Sequence, residues 1–503
     1  MRGALVLSFL VIGAVVPGFA QDKSQDQAVL DACDQAAASP VDPNRPAGVA
    51  GLQPWKIDPA VAVPACEAAA KAAPDNARIL YQLGRAYGAA KTYSAALAQY
   101  TKADELGYPL ATYNLSVFYK WGQGVSADPL RAKALLEKAV SAGAVATIKL
   151  GWETAAAAGD TEAMLALGRA HEWDWGFPKD YEVARRWYEK AAALGHAGAM
   201  RSLGLLYAHG RGTPIDYAAA RDWWEKAANA GDAAAMRNLG WIYEQGKGVP
   251  KDYKMARSWL EKAAARGSTG AMASLGYYDS TGRGGPSNYT TAASWWRKAA
   301  EAGDADGMMY YGWVHLWDFG VPRDFDAARR WFEKSAANGN VGATNKLGML
   351  HAYGMGVAAN YALARTLWEK AAAGGSTEAM GYLGWMHSTG RGVVQDYTVA
   401  RSWYEKAAAA GQSAAMNNLG RLYDYGCGVA EDHDEARRWY EKARDNGDSQ
   451  IAKLAKANLA LLDQPAQHRA RLAAARWHGC GATAPASNQM PSSNSLPSSD
   501  QVP

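Results

Sequence analysis

Apolar residues recur along most of this chain at i, i+3, i+4 and i+7, the spacing of one face of an α-helix, and two such stripes return together every 36 residues. In one stripe Met236, Leu239, Gly240 and Tyr243 share a face. In the other, Ala220-Arg221-Asp222-Trp223-Trp224-Glu225-Lys226-Ala227-Ala228 sets aromatic and alanine positions against charged ones. The register is fixed by a dipeptide: Leu167-Gly168, Leu203-Gly204, Leu239-Gly240, Leu275-Gly276, Tyr311-Gly312, Leu347-Gly348, Leu383-Gly384 and Leu419-Gly420 each stand 36 residues after the one before. A period of this size marks stacked supersecondary units, none of which buries its apolar face alone.

The punctuation between stripes supports the same reading. Asp180, Asp216, Asp252, Asn288, Asp324, Asn360, Asp396 and Asp432 precede the second stripe, where a short polar side chain accepts from an unpaired N–H as an N-cap. Prolines two residues earlier in five units (Pro178, Pro214, Pro250, Pro286, Pro322) set an extended entry. Gly195, Gly231, Gly267, Gly303, Gly339, Gly375, Gly411 and Gly447 end the second helix, and Asp160, Asp232, Ser268, Asp304, Asn340 and Ser376 open the first helix of a unit. The prediction is an all-α, right-handed α/α superhelical solenoid of 36-residue helix-turn-helix repeats.

The string Ala235-Met236-x-x-Leu239-Gly240-x-x-Tyr243-x-x-Gly246-x-Gly248-Val249-x-x-Asp252-Tyr253-x-x-Ala256-x-x-Trp259-x-x-Lys262-Ala263-Ala264 resembles the Sel-like repeat, a cousin of the tetratricopeptide repeat. The resemblance covers eight regular units over 160–447. Asp174 and Asp318 replace the first glycine of the Gly-x-Gly turn in two of them, which predicts a locally different turn. Residues 77–159 read as degenerate repeats, with Leu83-Gly84 and Tyr87 in one and Leu115, Tyr119, Gly122 and Gly124 in the next. The stretch Gly151–Asp160 matches the end of a second helix with no full unit in front, so the superhelix is expected to kink there.

Subtracting the core stripe leaves a first-helix face that carries Arg237 and Trp241 in one unit, then Tyr277, Trp313 with Trp317, Tyr353, and Trp385 in those that follow. By the resemblance this face lines a concave groove, and large aromatics there would dominate binding energetics. An alternative assigns the same aromatics to packing between neighbouring first helices. The second-helix tryptophans Trp187, Trp223, Trp259, Trp295, Trp331, Trp403 and Trp439 occupy a strict column and are read as inter-repeat core.

The chemistry of the chain narrows the function. No Gly-x-Ser-x-Gly, His-Glu-x-x-His or Ser-x-x-Lys occurs, so no catalytic residue, cofactor or metal is assigned. His171, His315, His351 and His387 share a column with Tyr207, Tyr243 and Tyr423 and are read as packing residues. A net charge of +4 over 503 residues, with Lys and Arg beside Glu, argues against nucleic acid. Arg2, the apolar run Ala4–Val16 and the small residues Gly18 and Ala20 make residues 1–20 a signal peptide, placing the protein in the periplasm or outside the cell with no membrane span.

Export makes the cysteines informative. Cys33 and Cys66 lie in the unrepeated segment 21–76 and are expected to staple it as an N-terminal cap. Residues 448–478 read as capping helices broken at Pro465 and 479–503 as a disordered tail. A helix over 465–478 would carry Cys480 about 21 Å from the loop of Cys427, against the ~7 Å within which bridged α-carbons lie. Those two are therefore expected not to pair. The function implied is an exported scaffold, adaptor or regulator that binds a protein or peptide partner of unknown identity. A cell-wall glycan bound by the same aromatics is the alternative, and hydrolysis of lactam antibiotics, described for some bacterial members of the family, a further one.

Overall fold

The computed structural model of the chain describes residues 23–447 and 449–464; residues 1–20, read as a signal peptide, residues 465–478, read as part of the C-terminal cap, Cys480 and the expected disordered tail lie outside the described residues. Those that are described form helices and turns with no strand among them. They fall into two compact units, 1–235 and 236–503. The first holds the cap helices Lys23–Ala37 and Pro59–Ala72, the pairs Ala77–Ala89 with Tyr93–Glu105 and Pro109–Trp121 with Pro129–Ser141, the single helix Ala144–Ala157, and the pairs Thr161–Trp173 with Tyr181–Ala193 and Ala197–His209 with Tyr217–Asn229. In the second, Tyr253–Ala265 is followed by five pairs, whose first helices are Thr269–Thr281, Ala305–Trp317, Val341–Tyr353, Thr377–Thr389 and Ser413–Tyr425, and by Ser449–Leu462.

The caps act as the pattern predicts. Asp180 accepts from the N–H groups of Glu182 and Val183 at 2.9 and 3.0 Å, Asp252 from Lys254 and Met255 at 2.9 Å, and Asp304 from Gly307 at 2.8 Å. The glycines that end the second helices are left-handed, from φ 83° at Gly267 to 95° at Gly231, except Gly447 at −83°.

The glycine of each Leu-Gly pair has a different purpose. A Cβ on Gly204, Gly276 or Gly348 would come within 2.3–2.5 Å of the indole Nε1 of Trp224, Trp296 or Trp368 in the second helix of the same repeat. Gly168, Gly312, Gly384 and Gly420 meet Tyr188, Phe332, Tyr404 and Tyr440 in the same way. Each of those three indoles then donates to a first-helix carbonyl, that of Arg201, Ala273 or Asn345, at 3.0–3.2 Å.

This corrects the assignment of the core column by one residue. Trp187, Trp223, Trp259, Trp295, Trp331, Trp403 and Trp439 are half-buried. Each carries the ammonium of a lysine three residues on over its ring, at 4.0 Å for Lys262 on Trp259 and 4.5 Å for Lys298 on Trp295. Two adjacent aromatics on a helix point 100° apart, and it is the second that meets the glycine.

The turns at Asp174 and Asp318 are also corrected. With φ of 54° and 63° they take the left-handed cap conformation that Gly210 (64°) and Gly354 (68°) take elsewhere, so the turn is the same. Aspartate tolerates that region better than most residues. A Cβ at Gly354 has ordinary contacts, nothing nearer than 3.4 Å, so Gly354→Ala is expected to cost about 1–2 kcal/mol of conformational strain and Gly354→Asp less. Denaturant titration checks the order, and equal losses would contradict it.

Cys33 and Cys66 are bridged, joining the two cap helices. At the other end, Ile451, Ala455 and Leu459 of Ser449–Leu462 are buried against the last repeat. Cys427 is buried and disulfide-bonded, so of the two states the sequence left open for it, a free thiol or an intermolecular partner, the free thiol is ruled out; the geometry argued against Cys480 rested on a helix over residues that lie outside the described ones.

Candidate functional site

The first-helix face of the second unit was expected to present Arg237, Trp241, Tyr277, Trp313, Trp317, Tyr353 and Trp385 together. Arg237 is exposed, its guanidinium lying over Gly270 of the next first helix. Trp241 is 39% exposed although it sits mid-helix. Tyr277 is half-buried with the Arg283 guanidinium 4.8 Å from its ring centre, and Trp317 is half-buried at the end of its helix. Tyr353 is half-buried too, and burial pushes its phenol up to about 12.

Trp313 and Trp385 are in the core instead, at 4% and 2% exposure. The Trp313 ring stacks on Phe319 at 4.9 Å and lies 6.4 Å from Tyr289. Trp385 lies 6.0 Å from Tyr353 and under the Arg391 guanidinium at 5.0 Å. Helical phase placed both opposite their own repeat's core, but in a stack that opposite side is covered by neighbours and loops.

The histidine column is structural. Nδ1 of His171 lies 3.0 Å from the carbonyl of Pro178 and that of His315 lies 3.3 Å from the carbonyl of Pro322, each tying a helix end to its loop. Burial lowers the imidazole pKa of His351 and His387. Among the described residues no three His, Cys, Asp or Glu side chains are grouped to hold a metal ion, and no helix is long and apolar enough to cross a membrane.

The Sel1 repeat profile matches nine segments of the sequence, 109–143 and then eight in succession from 161 to 448. The chain belongs to the Sel1 repeat family. Among solved structures it is similar to a protective antigen of uropathogenic Escherichia coli strains with the same repeat fold, at 29% identity over 83% of this chain and 87% of that one, with a TM-score of 0.53. A Sel1 repeat protein from Oxalobacter formigenes is 30% identical over 61% of this chain and 88% of its own, with a TM-score of 0.45. No curated protein matches the chain. Sel1 repeat arrays are helical solenoids of the kind typical of protein-interaction scaffolds.

The Sel1 repeats of the first unit carry surface aromatics that the sequence reading passed over. Trp121 and Trp173, the last residues of two first helices, are exposed and meet edge to face at 5.9 Å, with Arg211 5.3 Å from the Trp173 ring. Trp317 and Tyr353 end their helices in the same way. The signal that could have found them is position: the residue before the left-handed cap points along the rim, not into the stack.

Proposed function

We propose that this Sel1 repeat protein is an exported scaffold or adaptor that binds a protein or peptide partner on the first-helix face of its second unit, through Arg237, Trp241, Tyr277, Trp317 and Tyr353. Trp241 carries the reading: a mid-helix indole left 39% exposed is a large apolar surface with a polar N–H, the type of side chain that anchors interfaces. Trp313 and Trp385 support that face from behind. Export is supported by the composition of residues 1–20 and by the Cys33–Cys66 bridge, which belongs to an oxidising compartment.

The test is a crosslinked pull-down from the envelope fraction followed by titration of the captured partner. Trp241→Ala combined with Trp317→Ala is expected to weaken binding by about 2 kcal/mol per anchor while the melting temperature stays near wild type. Unchanged affinity would remove these two residues from the interface. Competition by soluble cell-wall fragments, but not by partner peptides, would reassign the face to glycan.

A further inference from the structure

The irregular parts of the first unit meet at one place. Inside the loop joining the two cap helices, Arg45 donates to the carbonyls of Ser39 at 3.2 Å and Pro40 at 2.5 Å, while Arg85 donates to that of Ala37 at 2.5 Å and the Leu52 N–H to that of Ala38 at 2.8 Å. The loop then crosses to Ala144–Ala157, the one helix of this unit outside the cap that has no partner in a pair. There Val41 fills the space above Gly151, where a Cβ would come within 1.6 Å of its Cγ1. Lys56 and Asp160, 2.7 Å apart, tie the far side. Between loop and helix remains a cavity of about 930 Å³.

Its lining is selective. Gln53 is 6% exposed, lines the cavity and makes no side-chain hydrogen bond among the described residues. Its amide faces the cavity and offers a donor and an acceptor side by side, the complement of a peptide backbone unit. Trp55 and Leu150 line the same cavity with exposed apolar surface. Three carboxylates, Asp42, Asp160 and Glu162, line it; Lys56 neutralises Asp160 and the His196 imidazole lies 2.9 Å from Glu162, so Asp42 and Glu162 leave a net negative wall that favours a cation. A sugar would leave hydroxyls unpaired against the apolar wall of Pro40, Val41 and Ala155.

We infer that this cavity is a second binding site, separate from the first-helix face of the second unit, and that it takes an extended peptide. The peptide sets an aliphatic side chain between Trp55 and Leu150, pairs its backbone with the Gln53 amide, and carries a lysine or arginine next to the aliphatic residue.

The full-length protein is used to select from a displayed library of random linear peptides, and the enriched sequence is synthesised and titrated by calorimetry. An aliphatic residue beside a basic one is expected. Gln53→Leu, which removes the amide, and Thr154→Trp, which fills the cavity from the helix, should each weaken binding at least tenfold with wild-type circular dichroism, and Trp241→Ala should leave it unchanged. Since Thr154 is exposed on its helix, that variant reads the site even where Gln53→Leu fails to fold. The inference is overturned by an acidic consensus, by the absence of enrichment, by peptides that bind both variants as well as wild type, or by a soluble trimer of N-acetylglucosamine saturating the cavity while peptides do not.

Discussion

Trp296→Ala is expected to lower stability by about 3–5 kcal/mol, whereas Trp295→Ala, one residue earlier, costs about 1–2 kcal/mol. Trp296 is fully buried, stacks on Tyr310 at 5.1 Å, lies against Gly276 and donates from Nε1 to the Ala273 carbonyl at 3.0 Å. Truncation leaves a cavity too closely walled to collapse and a carbonyl without its donor. Trp295 is half-buried, and its main specific contact is the Lys298 ammonium 4.5 Å from the ring. In a repeat array the loss can stay local, so the measurement is hydrogen exchange in Thr269–Thr281 and Tyr289–Glu301 alongside chemical denaturation. A larger loss for Trp295→Ala would restore the column inferred from sequence.

The second large effect concerns the supposed binding face. Trp313→Ala and Trp385→Ala are each expected to cost about 3–5 kcal/mol, because both rings are packed among aromatics and neither faces solvent. A triple change that adds Trp241→Ala should therefore melt far below wild type, and loss of binding by it would report loss of fold. Trp241→Ala alone, at a partly exposed position, should cost about 1 kcal/mol or less. Trp385→Phe gives a finer check. The buried Trp385 Nε1 has no hydrogen-bond partner, so removing the N–H offsets part of the lost ring volume and the variant should melt well above Trp385→Ala. If Trp313→Ala and Trp385→Ala both melt with wild type, these tryptophans are surface residues and the packing described here is wrong.

Much of the architecture was legible because it is local chemistry. A helix of 13 residues with Asp180 before it and Gly195 after it is specified by its own caps, and the 36-residue repeat carries that specification along the chain. The same holds for the Cys33–Cys66 staple, since two cysteines close in sequence within one unrepeated segment have short reach to each other. Of the site, the sequence correctly exposed Arg237 and Trp241 but placed Trp313 and Trp385 beside them; helical phase relates a residue to its own helix and says nothing of what the next helix or loop brings to the other side.

The sequence by itself thus determined the helices, their caps, their period and the family they belong to, since each is set by residues within a turn or two of one another. Only the tertiary structure decided which of two neighbouring aromatics goes inside, because that choice follows from the one glycine per first helix with room for a ring. It alone held Asp174 and Asp318 in a glycine's conformation, where the surrounding repeat fixes the turn. And it alone brought Val41 onto Gly151, a contact across more than a hundred residues between the cap loop and a helix with no partner in a pair, a pairing that no repeat period encodes.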